Sequence, residues 1–385
     1  MTKETICACA LNRVFGYEPR ISLRLVQELG SAEAVFDLSP EEIDGLLGPY
    51  SKYRGQIRRE MLEKEEKELA LLGENGCRFL PYTSPDYPGM LRECEDPPAG
   101  LYVKCTGDMS AVFNSRPAVA VVGTRDMSPY GREWCVKIVD ALSQAPAKPA
   151  IVSGLAFGVD ITAHMAALEY GLPTIAVLPN GIETVYPSAH RVAAAKIASS
   201  PGSALVTDYP PGTGPVAFTF IRRNRIIAAL SGTTILVESK ARGGGLITAR
   251  LASSYGREVL ALPGRLDDPR SAGCNALIGE KTAEPVVNLR DLGEQAGLGR
   301  FNLRKKKDFM ARTGQLYRNL PDEERLPLLN AARAIKENRG ITAEELCPVL
   351  GLPYSAVSAL TCTLESDGVI HTDLLGRCTI NDKND

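Results

Sequence analysis

Six short, nearly continuous apolar runs, each followed by a turn and a helical pattern, constrain this chain more than any other feature. They are Val119–Val122, Ala150–Val152, Thr174–Leu178, Ala204–Val206, Thr233–Val237 and Glu258–Leu262. Runs that are apolar throughout, rather than at every second residue, belong to strands covered on both faces. Their alternation with helices predicts an α/β fold: a doubly wound, Rossmann-like, mainly parallel sheet with right-handed crossovers. The flanks read differently. Residues 1–75 have helical spacing in Arg20–Leu29, Ala32–Phe36, Pro40–Leu47 and a charged stretch from Lys52 to Leu72. Near the other end, Leu328–Asn338, Thr342–Leu350 with Glu345 at the capping-box position, and Pro353–Ser366 read as three helices. A hairpin turning at Gly376 follows over Val369–Ile380, which completes a winged-helix pattern. The expected division is a helical domain over 1–75 of the SAM or helix-hairpin-helix kind, a Rossmann-like domain over 76–295, a linker over 296–325 and a winged helix over 326–385. The linker carries the basic cluster Arg304-Lys-Lys-Lys307.

Composition excludes several classes of function. With 44% apolar and 23% charged residues the chain is globular. It has no apolar run of about 20 residues, and Met1–Leu11 is too short for a signal segment, so a cytoplasmic protein without a membrane is expected. The 10 cysteines are scattered without a Cys-x-x-Cys, and His164, His190 and His371 are far apart, so reduced thiols and no zinc site are expected. The net charge of −2 hides an uneven distribution. Between Phe218 and Arg257, Arg222, Arg223, Arg225, Lys240, Arg242, Arg250 and Arg257 face the single acid Glu238.

Open parallel sheets bind ligands beyond the carboxyl ends of their strands, so the following turns are the place to look for chemistry. Gly123-Thr-Arg125 is followed by Ser128-Pro129, an N-cap and a first helical residue. Ser153-Gly154 precedes the segment carrying Asp160 and His164. Gly243-Gly244-Gly245 follows the fifth run. Each turn brings backbone N–H groups and a helix N-terminus to the sheet edge, an arrangement suited to phosphate, and Arg125 adds a guanidinium fork. No full Gly-x-Gly-x-x-Gly occurs and no Gly-rich loop ends in Lys-Ser/Thr, so no dinucleotide or nucleoside triphosphate cofactor is expected. His164 reads as an oriented structural histidine. The block Phe220-Ile-Arg-Arg-Asn-Arg-Ile-Ile227 is expected to crowd Arg222, Arg223, Asn224 and Arg225 into the first turn of a helix. There they would oppose the dipole, favour a bound anion and neutralise phosphates rather than support the core. Lys240, just after a strand, joins them as a candidate.

Together these segments resemble the DprA/Smf family of bacterial DNA-processing proteins. The similarity rests on Val121-Val-Gly-Thr-Arg125 with Ser128 and Tyr130-Gly131, and on Ser153-Gly-Leu-Ala156 with Gly158-Val-Asp160 and Ala163-His164. It continues through Arg223-Asn-Arg-Ile-Ile227, Pro263-Gly264 and Gly273-Cys-Asn-Ala-Leu-Ile278. Three segments depart from the family pattern: Gly243-Gly-Gly245 stands for Ser-Gly-Ser, Ile221 for a proline after Phe220, and Lys281–Pro285 for a Gly-Ala pair. The resemblance implies a protein that is not an enzyme, binds single-stranded DNA, and loads the RecA recombinase to protect incoming DNA in natural transformation. It implies a phosphate pocket lined by Arg125, Ser153, Gly154, Arg223, Asn224 and Arg225, to which the turns add Gly123, Gly243 and Gly244. It also implies a homodimer, expected to join near Leu277 and Ile278.

Two other classes compete. A Rossmann-like nucleotide phosphoribohydrolase would use Glu238 at a strand end with Arg125 holding phosphate. A duplex-DNA regulator would use the winged helix, yet Pro353–Ser366 contains no Lys, Arg, Asn or Gln. Residues 326–385 carry five bases, Arg333, Lys336, Arg339, Arg377 and Lys383, against eight acids, a charge of −3. That module is expected to contact protein.

Overall fold

The computed structural model describes residues 1–301 and 309–381. The Arg304–Lys307 cluster lies outside the described residues. The chain divides into two compact units, Met1–Leu303 and Arg304–Asp385.

The larger unit is built on a sheet with the strand order β1-β2-β6-β5-β4-β3-β7-β8-β9. All six expected runs are strands: β3 (Ala118–Val122), β4 (Ala150–Ser153), β5 (Thr174–Val177), β6 (Ala204–Thr207), β7 (Thr233–Leu236) and β8 (Glu258–Ala261). Together with β9 (Glu284–Pro285) they run parallel. Sequence reasoning missed β1 (Cys77–Pro81) and β2 (Gly100–Lys104), which extend the sheet antiparallel beyond β6. From β3 the chain winds outward through β4, β5 and β6, then returns to lay β7 on the other side of β3. The loops after β3 and β7 therefore diverge over one crevice.

Successive side chains of a strand face opposite sides, and β3 shows it. Val119 and Val121 pack under the helices Pro129–Ser143 and Val159–Glu169, while Ala120 and Val122 pack under Ala217–Leu230 and Gly244–Ser254. Both faces are covered, which is why the strands are apolar throughout.

The N-terminal residues fold as helices, with Lys3–Phe15 in addition to those expected. The charged helix starts at Glu60, not Lys52, because Gly55 adopts φ +69° and breaks any earlier turn. These helices share a hydrophobic core with β1 and β2. Buried Glu65 accepts hydrogen bonds from Arg13 and from the Cys9 thiol (3.3 Å), and that thiol also lies 3.1 Å from the Tyr102 hydroxyl on β2.

The smaller unit contains the helices Phe309–Leu316, Asp322–Glu337, Ala343–Leu350 and Tyr354–Ser366. Its strands β10 (Ile341–Thr342), β11 (Ile370–Thr372) and β12 (Arg377–Ile380) form an antiparallel sheet in the order β10-β12-β11. The Thr342–Glu345 capping box is present. Phe309 and Tyr317 are buried in this unit's core, so part of the segment expected as linker belongs to the folded module. Among the described residues, no single helix is long and apolar enough to cross a membrane.

Candidate nucleic-acid interface

The turn after β3 is fixed by backbone and one carboxylate. The Thr124 N–H donates to the Glu238 carbonyl (2.7 Å) and the Val159 N–H to the Thr124 carbonyl (3.2 Å). A Cβ at Gly123 would lie 2.8 Å from the Glu238 carbonyl oxygen, so only glycine fits. Ser128 caps the helix Pro129–Ser143: its Oγ accepts from the Gly131 N–H (3.1 Å) and donates to Glu238 Oε1 (2.5 Å). Glu238 Oε2 accepts from the Ser128 N–H (2.9 Å). Glu238 is 1% exposed, with both oxygens spent on this turn. Its carboxylate thus serves as a buttress and is not presented to a ribosyl centre.

Arg125 leaves this turn into solvent. It makes no hydrogen bond or ion pair among the described residues, and its guanidinium lies 4.6 Å above the centre of the Phe220 ring. Phe220 in turn meets Tyr186 edge-on at 5.5 Å. The loops after β4 and β5 add exposed Phe157, packed on His190 at 4.7 Å, and exposed Tyr186. These two rings escaped sequence reasoning, although an aromatic inside the Gly-rich turn after a strand is a legible signal.

The turn after β4 behaves differently. Ser153 is enclosed and its Oγ donates to the Val121 carbonyl (2.7 Å), so it ties β4 to β3 and does not face a ligand. Gly154 supplies its carbonyl to Arg223 Nη1 (2.6 Å), and a Cβ at Gly154 would come within 2.4 Å of that guanidinium.

The arginine block corrects the expectation most sharply. The helix begins at Ala217, after Val216, so residues 222–225 occupy its second and third turns and not its first. Arg223 is 3% exposed and also donates to the Val177 carbonyl. Burial lowers its pKa to about 10; the Asp160 carboxylate offsets that loss and the nearby Arg125 adds to it. Arg225 is buried too, with Nη2 on Asp208 Oδ2 (2.5 Å) and Nη1 on the Asp96 carbonyl. Its compensating anions are therefore internal, and no bound phosphate is needed. Arg222 spans outward and donates to the carbonyls of Gly16 and Tyr17. Asn224 Oδ1 accepts from Arg223 Nε (3.3 Å), and Nδ2 reaches the Gly244 carbonyl (3.4 Å). Sequence reasoning missed Asp208 and Asp96, the carboxylates that hold Arg225.

After β7, Gly243 is the N-cap of Gly244–Ser254, and a Cβ on it would strike Ser239 Oγ at 2.3 Å. Gly244 is open. Lys240 and Arg270 both turn to Asp126, at 3.6 and 3.4 Å, while Arg242 is exposed with no hydrogen bond or ion pair among the described residues. Free helical N–H groups at Gly244 and two uncommitted cations, Arg125 and Arg242, thus belong to the two loops that diverge at the crevice.

His164 is structural, as expected: it is fully enclosed, its Nδ1 lies 2.7 Å from Thr174 Oγ1, and burial pushes its pKa down to about 3. The expected dimer contact needs a correction. Leu277 is 0% exposed within its own unit, packed in the sheet's core, and only Ile278 of the pair reaches the surface. Among the described residues no cluster of His, Cys, Asp and Glu could hold a metal ion.

The fold and site define an α/β protein with a doubly wound sheet whose carboxyl edge carries exposed cations and an open helix N-terminus. The family model described as DNA recombination-mediator protein A matches residues 78–297, more than half of the chain. This chain belongs to that family, the DprA/Smf DNA-processing proteins. It is 40% identical to protein Smf of Escherichia coli (strain K12) over 213 residues, 55% of this chain and 55% of that protein. It is 35% identical to DNA processing protein DprA of Bacillus subtilis (strain 168) over 252 residues, 63% of this chain and 82% of that one. The X-ray structure of DNA processing protein A from Streptococcus pneumoniae superposes with a TM-score of 0.60 at 30% identity, covering 78% of this chain and 99% of that one. The chain spans about half the length of the Escherichia coli relative.

Proposed function

We propose that this protein binds single-stranded DNA along the carboxyl edge of its sheet and delivers it to the RecA recombinase. The observation that carries the binding reading is Arg125, exposed, in no hydrogen bond or ion pair with a carboxylate among the described residues and lying over the Phe220 ring. A cation beside exposed rings is the combination that holds single strands, with charge on phosphate and ring faces on bases. Arg242 and the open N-terminus at Gly244 extend the phosphate track across the crevice. Arg223, Asn224, Arg225, Ser153 and Gly154 act one layer below: they set the height of the helix and the turn that present Phe220 and Arg125. Lys240 is held beside Asp126 at the rim, from where a strand's phosphates can draw it away. Recombinase delivery, a role in transformation, a non-catalytic mode of action and homodimerisation are supported by family membership; Ile278, not Leu277, is then the dimer surface of that pair.

Labelled oligonucleotides, single-stranded and duplex, titrated at several salt concentrations test the reading. Length-dependent single-strand binding with a negative salt slope and little base preference is the expected result. Release of free base from nucleoside monophosphates, with no strand binding, would overturn it in favour of the hydrolase.

A further inference from the structure

Two aromatic groups flank the start of the helix Ala217–Leu230. Phe218 and Phe220 are two residues apart, which places them about 200° apart around the helix axis. Phe220 faces Arg125 and Tyr186. Phe218 faces the N-terminal helices, where its ring meets Tyr17 at 5.8 Å with the planes tilted by 40°. Tyr17 and Phe218 are 55% and 56% exposed, so neither ring is buried by the contact.

Tyr17 is held in that position. In the turn after Lys3–Phe15, Arg222 donates to the carbonyls of Gly16 and Tyr17. The same guanidinium lies 5.3 Å from the Tyr17 ring centre, which fixes the ring's orientation. Nearby, Asn12 Nδ2 donates to the Asp208 carbonyl (2.7 Å), so this turn is anchored beside the carboxylate that holds Arg225. Two half-exposed rings, beside an arginine that directs Nη1 and Nη2 to backbone carbonyls, offer faces to a flat apolar ligand. Exposed Val216 and Ile221 border them.

We infer that Tyr17 and Phe218 form a second base-stacking subsite, so that the N-terminal helices are part of the strand-binding surface. A single strand crossing the start of Ala217–Leu230 would stack bases on Phe220 and Tyr186 on one side and on Phe218 and Tyr17 on the other. The inference rests on the proposed single-strand binding and adds to it the direction in which the strand continues.

Oligothymidylates of about 6 and about 20 nucleotides separate the two. Tyr17→Ala and Phe218→Ala are each expected to weaken the longer strand about tenfold and to change the shorter one little, while Tyr17→Phe stays within about twofold of the parent. The double variant should lose less than the product of the single losses, because the rings share one subsite. Arg125→Ala should weaken both lengths. If the parent binds both strands and Arg125→Ala weakens them, yet Tyr17→Ala and Phe218→Ala match the parent at both lengths, the second subsite is overturned and the first stands. If the parent binds neither strand, both readings fall.

Discussion

The carboxyl edge of the large sheet and the last helix of the C-terminal unit are both places where their folds usually meet nucleic acid, and they differ in what they present. The sheet edge has Arg125 and Arg242 exposed, Arg125 lying over the Phe220 ring. The helix Tyr354–Ser366 has no Lys, Arg, Asn or Gln, and Glu365 and Asp367 stand at its end. Architecture alone does not assign a function; the side chains placed on it do. Within the sheet edge a second difference appears. Arg223 and Arg225 are interior, while Arg125 is exposed, although all three look alike as letters.

That internal difference yields the largest expected effect. Arg225→Ala leaves Asp208 buried without its partner, a loss of about 3–5 kcal/mol for a pair of this kind. Arg125→Ala should stay within about 0.5 kcal/mol of the parent. Urea unfolding measures both, and an Arg225→Ala variant as stable as the parent would erase the distinction between inner and outer arginines. Next comes Gly154→Ala, whose added Cβ meets the Arg223 guanidinium at 2.4 Å. Pushing a buried side chain aside typically costs about 1–3 kcal/mol. Thermal melting should show that loss together with weaker strand binding, since the turn carrying Phe157 moves with it; a variant with the parent's melting temperature and affinity would show that this turn is loose.

Arg125→Ala acts on binding and leaves the fold intact. Removing one phosphate contact should flatten the plot of log affinity against log salt by about 0.7 for a single strand. The same slope in variant and parent would remove Arg125 from the interface and with it the contrast between edge and interior.

Much of this was legible in the sequence, and the physical reasons separate what was from what was not. Continuous apolar runs identify strands covered on both faces, so β3 to β8 could be read directly. β1 and β2 were not, since Arg78 points outward and Pro81 ends a run of only five residues. The Gly123-Thr-Arg125 turn announced an exposed cation because glycine, N-cap and proline are local signals. The fate of Arg225 was hidden, because its partners Asp208 and Asp96 lie 17 and 129 residues away in sequence, and no local rule brings them together. Leu277 was misplaced for a related reason: an apolar residue in a helix serves a core or an interface equally well until the packing is known.

The smallest expected effect concerns the C-terminal unit. A winged helix that reads duplex DNA inserts its third helix in the major groove and needs donors there, with cations toward the backbone. Here the exposed apolar residues are the distinguishing feature: Tyr354 on the unit's last helix, and Leu374 and Leu375 fully or largely exposed at the tip of the wing beside Asp373. Arg377 is a cation of the wing, and the turn is organised around the Asp373 carboxylate, which accepts from the backbone N–H groups of Leu375 and Arg377 at 2.9 Å each. Such a tip suits a protein surface better than a phosphate backbone, which the charge of −3 over residues 326–385 would repel. The fragment that tests this must start no later than Phe309, because Phe309 and Tyr317 belong to its core. Titrated with random-sequence duplex at low salt it should show no saturable binding, and its removal from the whole chain should change single-strand affinity by less than about twofold, within the range of mutations that touch no contact. Tight, salt-sensitive duplex binding by the fragment would make the two surfaces equivalent after all.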